Sequence, residues 1–224
     1  MALSFPISLA GNSASSSSLV GKRGGIDLKE GLIRWWENGD HVDKVSGTAT
    51  IGGLRGSKTL APPAPFTDTF DPNRDGGSIT AYMNSPATNF TSYTIFALAG
   101  RKSNNGYRNW AGTGSTNVGD TIKESTSSIL QVSSSSSPFN LIGHSNQQWD
   151  TFVFSKSGFT MEVYKNGILI NTITGTSNPH TSWWRCWDCQ VTSFAIWGRA
   201  DIPWTQEHVD VFHNGGNYVQ YADL

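Results

Sequence analysis

The sequence predicts an all-β fold, and three features carry that prediction. Charged residues make up only 15% of the 224-residue chain, below the ~25% usual in soluble domains, so little Lys and Glu is available to cover the solvent faces of long helices. Glycine (24) and serine (28) together supply almost a quarter of the residues, and both favour turns. Aromatic residues reach 12%, with nine tryptophans, and their rings suit the pleated, half-buried surface of a strand. A chain of this length makes one large domain or two small ones. As one domain it would bury about 70% of its unfolded surface and need no metal or disulfide to hold together.

Residues 1–25 differ from the rest. They hold Ser15 to Ser18 in a row and then Gly21, Gly24 and Gly25. Such a segment buries too little apolar area to offset its ordering entropy, so it reads as a flexible arm, or one that orders only on a partner, ahead of a folded domain spanning 26–224. Its short apolar run has no Lys or Arg before it, the first being Lys22 and Arg23, and a secretory signal needs a basic start. No stretch approaches the ~18 apolar residues of a membrane span.

The elements follow in order. Gly31–Trp36 is a strand closed by Glu37-Asn38-Gly39-Asp40. Ser78–Met83 alternates Ile79, Ala81 and Met83 with polar neighbours, and Tyr93–Ala99 is nearly continuous apolar, as a core strand is. Ser133–Ser137 reads as a surface loop. Asp150–Ser155 and Phe159–Lys165 are the next strands. Asn166-Gly167 then marks a type I′ hairpin, a turn with positive φ at both centres. A two-residue loop sets Lys165 opposite Ile168, Tyr164 opposite Leu169, Val163 opposite Ile170 and Glu162 opposite Asn171. Gln190–Trp197 is a further strand and Asp201-Ile202-Pro203 a turn. Thr205 caps a short helix running through Phe212 and ended by Gly215-Gly216, with Glu207 in the first turn where the dipole favours it. A helix of about two turns cannot stand alone, so Trp204, Val209 or Phe212 must pack on the sheets. Trp35, Trp149 and Trp197 are expected in the core.

Four segments, in order, resemble laminin-G-like domains of the concanavalin-A-like superfamily. GLIRWWENGD…DKVSGTATIGG is similar to their opening strand and Asp-rich turn, YTIFALAGRK to a core strand, WDTFVFSKSGFTMEVYKNGILINTITG to the hairpin, and FAIWGRADIPWTQEHVDVF to the closing strand and helix. The resemblance spans Ile26 to Tyr221. It implies a concanavalin-A-like jelly-roll sandwich of two antiparallel sheets with one short C-terminal helix, and ligands, usually glycans, on a concave face or rim loops. It does not fix the function, because the fold hosts lectins, adhesion modules, enzymes and viral surface proteins.

Catalytic patterns are weak. Glycoside hydrolysis usually needs two carboxylates roughly 5 to 10 Å apart, and related glucanases carry Glu-x-Asp-x-Glu on one strand, where alternate residues share a face. The five glutamates are Glu30, Glu37, Glu124, Glu162 and Glu207, and none pairs with another at that spacing. Glu162, the one placed mid-strand, faces an asparagine in the predicted register. The Arg-x-Glu and Gln-x-His patterns of related lyases are missing, as are a nucleophile elbow and a phosphate loop. The chain is therefore expected not to be an enzyme.

Binding patterns are stronger. Trp183, Trp184 and Trp187 crowd a segment with Arg185 and Asp188, and Tyr107 and Trp110 lie beside Asn104 and Asn105. Indole and phenol faces stack on the apolar faces of sugars while Arg, amides and carboxylates take the hydroxyls. The tryptophans could equally fill a core or contact another subunit. Asp71, Asn73 and Asp75, followed by Gly76, match the first half of a calcium loop, but position twelve is Tyr82 rather than an acid. A calcium ion would need carbonyls, waters or Asp68, and a tight turn is the competing reading. Cys186 and Cys189 form a lone CxxC with His180 nearby, half a zinc site, and read as two thiols or one small-loop disulfide.

The net charge is −1, which gives no long-range pull on nucleic acid or an anionic membrane. Three readings follow. The first is a non-catalytic binding or structural module on a virion surface, a phage decoration, fibre or attachment protein, holding glycan or cell-surface polysaccharide and docked to other virion proteins through residues 1–25. The second is a soluble or secreted lectin. The third is a carbohydrate-active enzyme. Homo-oligomerisation is compatible with each.

Overall fold

A computed structural model describes residues 22–23, 25–40, 42–47, 51–52, 60–69, 82–83, 92–100, 108–112, 121–124, 129–133, 140–143, 148–174, 190–198, 204–217 and 219–224. Its strands are β1 (Lys22–Arg23), β2 (Ile26–Asp27), β3 (Leu32–Glu37), β4 (Ile51–Gly52), β5 (Tyr82–Met83), β6 (Ser92–Gly100), β7 (Arg108–Gly112), β8 (Thr121–Glu124), β9 (Ile129–Ser133), β10 (Asn140–Gly143), β11 (Trp149–Ser157), β12 (Thr160–Lys165), β13 (Ile168–Thr174) and β14 (Gln190–Trp197), followed by helix α1 (Gln206–His213). Among the described residues every strand pairing is antiparallel. A six-stranded sheet runs β13-β12-β11-β6-β14-β3, and a four-stranded sheet runs β10-β9-β8-β7. The short pairs β1-β2 and β4-β5 complete the set. Lys22 and Arg23, assigned by sequence to the arm, pair with Asp27 and Ile26.

Strand β6 organises the larger sheet. All nine of its residues are buried, because β11 and β14 flank it and both its faces are covered. Tyr93, Ile95, Ala97 and Ala99 join Trp36, Phe152, Phe154, Met161, Val163, Phe194 and Ile142 of β10 in one apolar cluster. Phe96 and Leu98 point the other way, into a cluster with Trp35, Val153, Tyr164, Trp197, Trp204, Val209 and Phe212. One face therefore meets the four-stranded sheet through Ile142, and the other meets α1 and the C-terminus.

The second face is mostly aromatic. Trp35 meets Trp197 edge-on at 5.9 Å, Phe96 lies 4.3 Å from Phe212, and Trp197 lies 4.4 Å from Trp204. Buried indole N–H groups need acceptors. Trp197 Nε1 donates to Leu28 O at 2.7 Å and Trp35 Nε1 to Glu37 Oε2 at 2.8 Å. The short helix is thus held by Trp204, Val209 and Phe212, as its length required. Thr205 caps it, with His208 Nδ1 reaching back to within 3.3 Å of the Thr205 backbone N. Asn214 ends it in the left-handed conformation (φ 46°), followed by Gly215 (φ 64°).

The hairpin turn forms as predicted, with φ of 50° at Asn166 and 83° at Gly167. Lys165 faces Ile168 and Tyr164 faces Leu169, but beyond them Val163 faces Asn171 and Glu162 faces Thr172. The expected pairs Val163–Ile170 and Glu162–Asn171 are corrected by a bulge at Ile170. Unbroken register would set Thr172 against Met161 on the core face. The one-residue slip sets Ile173 there instead, where it is 3% exposed. Burying an isoleucine rather than a threonine favours the slip, and Ile170 is left outside.

Candidate functional site

One end of the six-stranded sheet brings together the strand ends Gly100, Trp149 and Gln190. Gly100, the last residue of β6, registers against both Trp149 of β11 and Gln190 of β14. The chain leaves the sheet at Gly100 and re-enters it at Gln190, at this one rim; in sequence Tyr107 follows Gly100 by seven residues and Trp187 precedes Gln190 by three. The turn after β3 and the Asn166-Gly167 turn lie at the same end, because Glu37 pairs with Ser193 and Lys165 with Phe152.

The rim is stiffened by segment 60–69. Asn38 Oδ1 accepts from the backbone N–H of Thr67 at 2.7 Å and of Asp68 at 2.8 Å. Thr192 Oγ1 donates to Asp68 O at 2.7 Å, and Trp149 Nε1 donates to Ala61 O at 2.7 Å. Gly100 is required by close approach: a Cβ there would lie 2.8 Å from the Trp149 ring and 2.9 Å from Leu60 Cδ2. Trp149, expected in the core, is half-buried at its edge, packed against the helix-side cluster. It lies over the end of the sheet, with its ring against Gly100 and its N–H bonded across to Ala61.

A charged staple fixes the hairpin to this rim. Asp150 Oδ1 accepts from Asn166 Nδ2 at 2.7 Å, and Asp150 Oδ2 lies 3.1 Å from Lys165 Nζ. Lys165 Nζ also donates to Gly143 O of β10 at 2.7 Å, while Thr151 N donates to Asn166 Oδ1 at 2.9 Å. The Asp150 side chain is 6% exposed, so this pair joins turn, β11 and β10 rather than facing a ligand. Sequence analysis took Asn166 as a turn former only. Its amide side chain, spanning Asp150 and Thr151, was a further signal.

Glu162 accepts a short hydrogen bond from Tyr164 Oη on the helix-covered face. Burial first, and then the hydrogen bond and charge of Glu162, hold the Tyr164 phenol protonated far above its ordinary range, with Asp210 adding to the effect. A nucleophilic tyrosine needs the opposite shift. The residue opposite Glu162 on β13 is Thr172, so the strand pairing offers it no second acid.

Trp110 lies on β7, where the register shifts between Asn109 and Ala111, and β7 is an outer strand of its sheet. Trp110 is thus the extra residue of a bulge, a device common at sheet edges and beside functional sites. Trp183, Trp184, Arg185, Trp187, Tyr107, Asp71, Asn73, Asp75, Cys186, Cys189 and His180 lie outside the described residues. Among the described residues, no group of three or more His, Cys, Asp or Glu is placed to hold a metal ion, and no helix is long and apolar enough to cross a membrane.

No protein-family model matches the sequence, and no curated protein does. Solved structures do match. The binding domain of botulinum neurotoxin DC in complex with SialylT superposes with a TM-score of 0.63 at 17% identity, over 87% of this chain and 52% of that one. A botulinum neurotoxin type C structure, described as dependent on two ganglioside molecules for cell entry, gives 0.61 at 16% identity, over 85% and 53%. Trypanosoma rangeli sialidase in complex with sialic acid gives 0.60 at 10% identity, over 87% and 35%. These likenesses establish the fold: antiparallel β-sheets in a sandwich with one short C-terminal helix. The chain spans about half the length of the toxin structures it matches.

Proposed function

We propose that this protein is a non-catalytic, laminin-G-like glycan-binding module whose site is the rim at Gly100, Trp149 and Gln190. The observation that carries the reading is the register of Gly100 against both Trp149 and Gln190, since Gly100 and Gln190 are the strand ends from which Tyr107 and Trp187 are only seven and three residues away in sequence. A rigid sheet end with loops leaving it is the usual way a sandwich presents a binding surface. Trp183, Trp184, Trp187 and Tyr107 supply faces for sugar stacking, and Arg185 supplies hydrogen bonds to hydroxyl or carboxylate groups. The structural neighbours, one tied to two gangliosides in cell entry and others solved with SialylT or sialic acid, support an acidic glycan as the ligand class. The near-neutral charge and the Ser/Gly-rich residues 1–25 support display on a virion or in the extracellular space, with the arm as the tether to a neighbouring surface protein.

The test is a glycan array with sialylated and neutral oligosaccharides, run with and without calcium, followed by titration of hits through tryptophan fluorescence. Binding lost in W184A, W187A and Y107A, with unchanged circular dichroism, is expected. No binding to any glycan under either condition overturns the proposal. Turnover of a bound glycan that is lost in E162Q would move the reading to an enzyme.

A further inference from the structure

We propose that the chain forms a two-fold dimer by antiparallel pairing of β13 with β13 of a second copy, joining two six-stranded sheets into one. The two edges of the larger sheet are built differently. At β3 the loop 42–47 covers the edge: Trp35 N donates to Asp43 Oδ1 at 2.9 Å and Lys44 N to Trp35 O at 2.8 Å. A charged, bonded loop of this kind blunts a sheet edge against other chains. At β13 no described residue plays that part. Ile168, Leu169 and Ile170 are 67%, 42% and 41% exposed; the first two flank the hairpin turn, and the bulge leaves Ile170 outside.

The occupant follows from the chemistry of the edge. Residues 168–174, ILINTIT, contain no charge and no proline, and they are rich in the β-branched side chains that pair across strands. Pairing an antiparallel strand with its own copy is self-complementary under a two-fold axis. Nothing ionic on the strand opposes it, and a net charge of −1 leaves little repulsion between copies. A charged partner would find no complementary group along this edge. The exposed apolar surface is on the order of a few hundred Å² per copy, the size of patch that marks an interaction site. Two such patches fall below the ~1,200 Å² of a stable interface, in the range of weak, transient pairs, so a dissociation constant on the order of tens of micromolar is expected. The dimer does not rest on the glycan reading.

Sedimentation of the full chain between about 1 and 100 μM tests it, alongside I168K/I170K and the control F159K, a substitution at an exposed apolar residue (65% exposed) in the turn between β11 and β12. A concentration-dependent dimer is expected for the wild type and F159K, and a monomer for I168K/I170K with an unchanged circular dichroism spectrum. Amide exchange along β13 slows with concentration if backbones pair. A wild-type monomer at 100 μM overturns the proposal, as does a dimer that I168K/I170K leaves intact. Binding of neutral phosphatidylcholine vesicles by the monomer, lost in I168K/I170K, would assign the edge to a lipid surface instead.

Discussion

Replacing Asp43 with alanine should destabilise the fold severely without touching the rim. The Asp43 carboxylate is fully buried. Its Oδ1 accepts from Trp35 N at 2.9 Å and Val45 N at 3.1 Å, and its Oδ2 accepts from Ser46 N at 3.2 Å and Ser46 Oγ at 2.6 Å. Arg34 Nη1 completes the set at 3.2 Å. Hydrogen bonds to a charged group contribute about 1.5–3 kcal/mol each, but four such values do not add, since they share one acceptor group and burying the carboxylate offsets part of them. Breaking a buried pair by removing one partner costs about 3–5 kcal/mol, and D43A also strands the N–H groups of Trp35 and Ser46. At roughly 2–4 °C per kcal/mol for a chain of this size, Tm should fall by about 10 °C or more. D43N keeps an oxygen for Trp35 and Val45 but turns its amide donors toward Ser46 and Arg34, so it should fall between D43A and the wild type. Urea unfolding followed by tryptophan fluorescence measures the order, and R34A/D43A should lose less than the sum of the single variants. A D43A protein within ~1 kcal/mol of the wild type would refute the reasoning, since that is the cost of deleting a surface acid.

Three further outcomes are expected. Gly100→Ala drives a methyl group into Trp149 and Leu60 and should cost about 1–3 kcal/mol, whereas Gly143→Ala, with nothing within 4 Å of its Cβ, should be near neutral; equal Tm values for the two would contradict the close approach. Phe212→Ala empties a site 3% exposed beside Trp35, Phe96, Trp197 and Trp204 and should cost about 3–5 kcal/mol, read by chemical denaturation. Burial lowers the imidazole pKa of His208 and His213, against the opposing pull of Glu207 and Glu30 on the first and Asp210 on the second. The folded state therefore binds fewer protons than the unfolded one, so the stability these groups contribute is complete above about pH 6.5 and falls as the pH drops toward the folded pKa. H208Q/H213Q should flatten that part of the stability profile, and an unchanged slope would count against it.

Much of the fold was legible because its signals are local. The Asn166-Gly167 turn, the apolar run of β6, the limits of β14 and the Thr205 cap each depend on a few adjacent residues. The departures arose where distant segments decide. The bulge at Ile170 exists because Ile173 rather than Thr172 faces Met161, a preference that appears only once both strands share a core. Trp149 sits at the core's edge rather than inside it because Gly100, 49 residues earlier, lets the indole lie over the sheet end against the helix-side cluster. Asp43 was one acid in an Asp-rich turn until the edge of β3 supplied Trp35 N as its partner.

The rim's own polar side chains are mostly engaged already. Asn38 and Thr192 there bond to residues 67 and 68, and Asp150, Lys165 and Asn166 bond among the hairpin, β11 and β10. Asp150, Asn166 and Thr192 are engaged in part-buried bonds, and turning one of them toward a sugar would give up a bond worth about 0.5–1.5 kcal/mol. On the proposed glycan-binding reading, the contacts would instead come from residues of 101–107 and 183–189, whose chain leaves the sheet at Gly100 and returns at Gln190. On that proposed reading, W187A changes glycan affinity and spares Tm, whereas Gly100→Ala changes both. Measuring the two quantities on the same variants separates a binding residue from the sheet end.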